Sequence, residues 1–118
     1  MIRETYVLPR ANISDTQPFS LVINVGRGIG EYARSVYLKV WTYRFTAPPN
    51  LGYGQIPNKT LNIEVDGETI ATELGDGTEG KLVYDSTVNQ LRSPGKHEIK
   101  FSLTSGTGAV VAIVMVVY

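Results

Sequence analysis

Hydrophobic and polar residues alternate with a period of two along most of this chain. In residues 96–104, Ile99, Phe101 and Leu103 alternate with charged or polar side chains. The same period marks residues 3–8, 19–25, 35–46, 60–65, 68–72 and 81–88. Since successive side chains of a strand point to opposite sides, this period predicts β-strands. We find no apolar stripe with helical spacing over three turns.

A hairpin is predicted within residues 60–72. The pair Asp-Gly at 66–67 lies between two alternating runs, and both central residues of a type I′ turn need positive φ, which Asp and Gly tolerate. The resulting register places Ile63 opposite Ile70 and Glu64 opposite Thr69.

Short strands separated by Gly, Pro, Asn and Asp turns predict an all-β fold. We expect residues 1–118 to form a single-domain antiparallel β-sandwich, jelly-roll-like, with an immunoglobulin-like variant as the alternative. The predicted core consists of Phe19, Leu21, Ile23, Leu38, Ile63, Ile70, Ile99, Phe101 and Leu103.

Two strands are apolar on both sides. In residues 109–118 the only polar side-chain group is the hydroxyl of Tyr118. Residues 35–46 carry Val and Leu on one side and aromatic rings on the other. One sandwich covers only one side of a strand. A second layer is therefore expected, either another subunit or a loop of the same chain.

Residues 47–59 form a Pro/Gly-rich arm without regular alternation. Loops of this length are usually functional or disordered. The composition of the arm suits contact with a neighbouring subunit, stacking at the rim of a sugar site, or packing against its own domain. The predicted interface residues are Tyr37, Trp41, Tyr43, Phe45, Leu51, Tyr53, Ile56, Val110, Val114, Val116 and Tyr118.

Charge and composition exclude several classes of protein. Basic and acidic side chains balance at 11 each, which argues against a nucleic-acid binder. Residues 1–46 carry six basic and three acidic side chains, whereas residues 61–85 carry one basic and seven acidic side chains. There is no cysteine. As a helix, the ten residues 109–118 would span about 15 Å, half of a membrane core, so we expect no membrane insertion.

Catalytic and metal-binding motifs are weak. The segment GRGIGE at 26–31 lacks the last glycine of a dinucleotide-binding loop and the helix after it. Asp76 and Glu79 are too few for an EF-hand, which leaves cation binding open. His97, the only histidine, has no second ligand or nucleophile beside it in sequence. We therefore predict no enzyme activity and no cofactor, and we assign no residue to a metal site.

The two functions left are structural and carbohydrate-binding. The doubly apolar strands and the arm favour an assembly protein, such as a capsid, cement or coat component, forming a homo-oligomer (a trimer is favoured). The alternative is a carbohydrate-binding or adhesion module that binds a glycan through the loop aromatics Tyr32 and Tyr53. A virion or an extracellular surface is the expected location, rather than the cytoplasm.

Overall fold

The computed structural model describes residues 2–46, 60–75, 77–104 and 106–118, so the arm 47–59 with Leu51, Tyr53 and Ile56 lies outside it, as does Asp76. Within those ranges no helix is long and apolar enough to span a membrane. The strands are β1 (Arg3–Ser14), β2 (Phe19–Val25), β3 (Ser35–Thr46), β4 (Thr60–Val65), β5 (Glu68–Leu74), β6 (Glu79–Thr87), β7 (Gly95–Leu103) and β8 (Thr107–Val117), with a 3₁₀ turn at Asn89–Leu91.

The strands form two antiparallel sheets of four. Sheet A has the order β1-β8-β3-β6, and sheet B has the order β2-β7-β4-β5. Strand β1 pairs with β8, β2 with β7, β3 with β6 and β4 with β5. The chain is thus one long hairpin, bent at the β4–β5 turn and rolled so that its pairs alternate between the sheets. This topology confirms the β-sandwich and is that of an eight-stranded jelly roll.

The β4–β5 turn has the predicted backbone. Asp66 has a φ of 51° and Gly67 a φ of 85°, both positive as a type I′ turn requires. Glu64 lies opposite Thr69, as predicted. A bulge next to Glu64 moves the rest of the register by one residue, so that Ile63 lies opposite Ala71 instead of Ile70.

The core lies between the inner faces of the two sheets. Of the predicted core residues, Ile23, Leu38, Ile63, Ile99, Phe101 and Leu103 are buried. Leu21 and Ile70 are half-buried, and Phe19 is 43% exposed. These three lie on β2 and β5, the edge strands of sheet B, where only one neighbouring strand covers a side chain.

Strand β1 is longer than the predicted strand at 3–8. It continues to Ser14 through a bulge between Leu8 and Ala11. Pro9 lies in this bulge, on the edge strand of sheet A. At such a position proline, which has no N–H, does not remove a hydrogen bond between strands. The residues that follow the bulge alternate again, with Ala11 and Ile13 buried.

Strand β8 is paired on both edges, with β1 on one side and β3 on the other. Val110, Val114 and Val116 have no exposed surface and belong to the core. The prediction that these three valines form an interface is therefore wrong, because they are on the side of β8 that faces sheet B.

Phe45 also lies inside the chain's own core, being 1% exposed. Arg44 has a φ of 49°, and the β3–β8 register shifts between Tyr43 and Thr46. This irregularity turns Phe45 to the inner side. Its ring lies against Gly75 and Gly108, where an added Cβ would overlap it. The period-two extrapolation placed Phe45 on the outer side and was wrong.

The two faces of β8 predict opposite outcomes for two lysine substitutions. Val114→Lys puts a charge into a fully buried site, which costs several kcal/mol, so we expect loss of the native fold. Val111 is half-buried on the outer side, where the lysine stem lies along the sheet and its ammonium reaches water. Val111→Lys should stay folded. Circular dichroism and thermal melting of both variants test this, and equal unfolding would contradict the face assignment.

Candidate binding face

A row of aromatic side chains lies on the outer face of sheet A. Tyr37, Trp41 and Tyr43 project from the same side of β3, opposite to the buried valines and leucine of that strand. Tyr37 is 41% exposed, and the other two are half-buried. At about 3.3 Å per residue, the row is roughly 20 Å long. These three predicted interface residues do face outward.

Apolar side chains extend the row across the sheet. On β8, Val111, Ile113 and Met115 face the same way, because the register pairs Val111 with Trp41 and Met115 with Tyr37. Val7 lies beside Ile113 on β1 and is 56% exposed. The outer face of sheet A is therefore apolar along its middle and open to solvent.

A cleft of about 450 Å³ opens at one end of this face, where β1 and β3 end and β8 begins. We call it the Arg10 cleft. Its polar lining includes Arg10, Asn12, Gln17, Tyr43, Arg44 and Thr107. Guanidinium, amide and phenol groups thus converge at one end of the aromatic row.

One carboxylate holds the two arginines of the Arg10 cleft. The Arg10 guanidinium lies 4.9 Å from the centre of the Tyr43 ring and 3.8 Å from Glu79. Arg44 contacts the same Glu79 oxygen through Nε. A guanidinium has five N–H donors. Glu79 therefore orients the arginines while leaving donors for a ligand.

A second cleft, of about 320 Å³, lies at the opposite end of the outer face of sheet A. We call it the Arg34 cleft. Its lining residues are Arg3, Arg34, Ser35, Tyr37, Met115 and Val117. Ser35 and Tyr43 are eight positions apart on β3, which corresponds to about 26 Å. The aromatic row thus connects two basic clefts.

Tyr118, another predicted interface residue, is half-buried and contacts the 26–31 loop of its own chain. Its hydroxyl accepts a hydrogen bond of 2.8 Å from the Gly26 N–H. The Arg27 guanidinium lies 5.7 Å from its ring centre. Tyr118 therefore anchors the 26–31 loop, whose residue Ile29 is 76% exposed.

His97 is buried on the same side of β7 as Ile99 and Phe101. Its Nδ1 lies 2.5 Å from an Asp66 carboxylate oxygen, and its Nε2 lies 2.7 Å from the Ser93 carbonyl oxygen. Both ring nitrogens are engaged and the ring is buried. The histidine thus holds the β4–β5 turn against β7 and offers no exposed base.

The pair His97–Asp66 favours the charged form of both groups. Burial is the largest effect on the pKa of His97 and lowers it, but the hydrogen bonds to Asp66 and the Ser93 carbonyl outweigh burial, so the pKa is raised. Burial likewise raises the pKa of Asp66, but hydrogen bonds from His97 and the Glu98 N–H outweigh it, so the pKa is lowered. The ion pair is stabilised from both sides.

Metal binding by Asp76 and Glu79 stays open, because Asp76 lies outside the described residues. Among the residues that are described, no three His, Asp or Glu side chains are close enough to hold a metal ion.

Sequence reasoning identified Tyr37 and Tyr43 but missed the basic and amide residues that line the two clefts. Arg10 and Asn12 alternate with the buried Ala11 and Ile13, a strand pattern that Pro9 and the following turn-forming residues concealed. The six basic side chains within residues 1–46 were visible as a charge excess. That four of them, Arg3, Arg10, Arg34 and Arg44, meet at the ends of one sheet could be seen only from the strand order.

No protein-family model matches this sequence, and no curated protein matches it. Solved structures do resemble it in fold. The chain matches part of a β-glucosidase from Paenibacillus barengoltzii with a TM-score of 0.52 and 17% identity, covering 89% of this chain and 10% of the enzyme. It matches part of a family GH115 4-O-methyl-α-glucuronidase with a TM-score of 0.56 and 10% identity, covering 92% of this chain and 14% of the enzyme.

A family 35 carbohydrate-binding module from Clostridium thermocellum was also found, with a TM-score of 0.38 and 14% identity. The match covers 92% of this chain and 98% of the module. At identities of 17% and 10%, the likeness to the two hydrolases shows the fold alone. The chain spans only 10–14% of the two glycoside hydrolases.

The His97–Asp66 pair predicts how stability depends on pH. The raised pKa of His97 adds stability below its unfolded value of 6.5, and this is lost as pH rises through the folded pKa. The lowered pKa of Asp66 adds stability above its unfolded value of 3.8, and this is lost as pH falls through the folded pKa. The combined contribution is therefore greatest between those values.

Asp66→Asn isolates this contribution, because asparagine tolerates the positive φ and keeps an acceptor for the Glu98 N–H. In urea titrations, the free energy of unfolding of the wild type should exceed that of Asp66→Asn most between pH 4 and 6.5. A difference that stays constant from pH 3 to pH 8 would contradict the ion pair.

Proposed function

We propose that this protein is a carbohydrate-binding β-sandwich, with the outer face of sheet A as its binding surface and without catalytic activity. The observation that carries the proposal is the aromatic row Tyr37, Trp41 and Tyr43 leading into the polar Arg10 cleft. The surface thus differs from the predicted loop aromatics Tyr32 and Tyr53.

Sugars match both parts of this surface chemically. A pyranose ring has apolar C–H faces that stack on aromatic rings, and a rim of hydroxyl groups that need hydrogen-bond partners. The row supplies the stacking surface. Asn12, Gln17 and the guanidiniums of the Arg10 cleft supply the partners. An open, elongated face suits an extended polysaccharide better than a small ligand, which would be enclosed on most sides.

The likeness to segments of two glycoside hydrolases is a likeness of fold, and a fold hosts many functions. The proposal therefore rests on the outer face of sheet A.

The second candidate is self-association through the same face, as in the predicted homo-oligomer of a capsid, cement or coat component. The observation that favours it is the exposure of Val7 and Leu82, at 56% and 46%, which lie opposite the half-buried Ile113 and Trp41 respectively. Exposed apolar patches often mark protein interfaces. Sedimentation of the native protein separates the two candidates, because a face covered by a second copy is unavailable to a polysaccharide.

Trp41→Ala tests the carbohydrate-binding proposal. Loss of a central aromatic contact should weaken binding about tenfold or more, as for hot-spot residues. The measurement is affinity electrophoresis against xylan, arabinogalactan, hydroxyethylcellulose and polygalacturonate. Val22→Ala, at an exposed site on sheet B, is the control and should leave binding unchanged.

Two results would count against the proposed surface. One is unchanged binding by a folded Trp41→Ala protein together with loss of binding by Tyr32→Ala, which would move the site to the loops. The other is a wild type that binds no polysaccharide and sediments as an oligomer, which would favour assembly.

A further inference from the structure

We propose that the ligand is an anionic polysaccharide, and that its acidic groups bind in both the Arg10 cleft and the Arg34 cleft. This inference rests on the proposed carbohydrate-binding function and adds the chemical class of the ligand and a second subsite. The acidic groups are carboxylates or sulfates, since either accepts bidentate hydrogen bonds from a guanidinium.

The two sheets differ in charge. The described strands of sheet A carry five Lys or Arg side chains and three Asp or Glu side chains. The strands of sheet B carry two Lys or Arg and four Asp or Glu side chains. The difference in charge between residues 1–46 and residues 61–85 thus corresponds to a difference in charge between the two sheets. An anionic polymer is attracted to sheet A and repelled from sheet B, although the formal net charge is zero.

The Arg34 cleft contains a basic side chain that is not engaged in an ion pair with the residues described. Among the residues that the structure describes, the side chain of Arg34 makes no ion pair, and only its backbone N–H bonds to the Val117 carbonyl. Tyr37 and Met115 form the apolar part of the same cleft. A sugar stacked on Tyr37 would place a carboxylate or sulfate within reach of Arg34.

The Arg10 cleft has an excess of positive charge of its own. Among the residues that the structure describes, Arg10 and Arg44 share one carboxylate, that of Glu79. These ion pairs are exposed, with side-chain exposures between 47% and 68%, so an anionic ligand can replace or join Glu79 at little cost.

The region between the clefts explains why the polymer is a polysaccharide and not a nucleic acid. Over about 26 Å, the central strands β8 and β3 offer mainly apolar and aromatic side chains, with Lys39 balanced by Asp85 at 4.0 Å. A nucleic acid carries a phosphate at every nucleotide and needs a continuous basic track. A glycan with spaced acidic groups fits a surface that is basic only at its ends.

Polygalacturonate and its fully methyl-esterified form provide the test, because esterification removes the charge and keeps the sugar backbone. We expect the acidic form to bind at least about fivefold more tightly at low salt, and this preference to decrease as salt rises. Arg10→Gln and Arg34→Gln should each weaken binding of the acidic form about two- to fivefold, and weaken binding of the ester less. Lys96→Gln on sheet B is the matched control and should behave as the wild type.

Dextran sulfate against dextran distinguishes sulfate from carboxylate, and a preference for either charged polymer supports the inference. Equal affinity for polygalacturonate and its ester, without an effect of the arginine substitutions, overturns the anionic ligand but leaves the proposed function standing. Absence of binding to every polymer overturns both. Oligothymidylate bound as tightly as polygalacturonate at equal ionic strength would show a general polyanion surface and also overturn the inference.

Discussion

The pairing of β8 on both edges and its apolar side chains on both faces constrain the rest of the molecule. Between β1 and β3, this strand has a paired neighbour along both edges, whereas an unpaired apolar edge would invite further strands. The inner side chains, with Val110, Val114 and Val116, complete the core. The outer side chains give sheet A an apolar middle, and the aromatic row of β3 lies directly beside it.

This arrangement links the fold to the binding proposal. The jelly-roll order brings the ends of β1 and β3 together at one end of β8 and the start of β3 to the other end. Basic residues that are far apart in the sequence, such as Arg10 and Arg44, therefore meet in one cleft. An apolar strip with a basic cleft at each end is the surface that would bind an extended anionic glycan.

The strand pattern and the type I′ turn could be predicted because each depends on near neighbours in sequence. Ile99 and Phe101 alternate with polar residues, and Asp66-Gly67 needs only its own φ angles. Phe45 could not be placed, because the irregular backbone at Arg44 reverses the alternation after it. The face of β8 that is buried was equally hidden, since both faces are apolar and only the partner sheet distinguishes Val111 from Val114. The clefts depend on strand order, which local patterns do not determine.

Backbone amide chemical shifts of the labelled protein, titrated with short galacturonate oligomers, test most directly whether the outer face of sheet A binds the ligand. The largest shifts are expected along residues 37–43 and 109–115, with further shifts at Arg10 and Arg34. Shifts confined to sheet B, or to the loop at residues 26–32, would contradict the proposed surface.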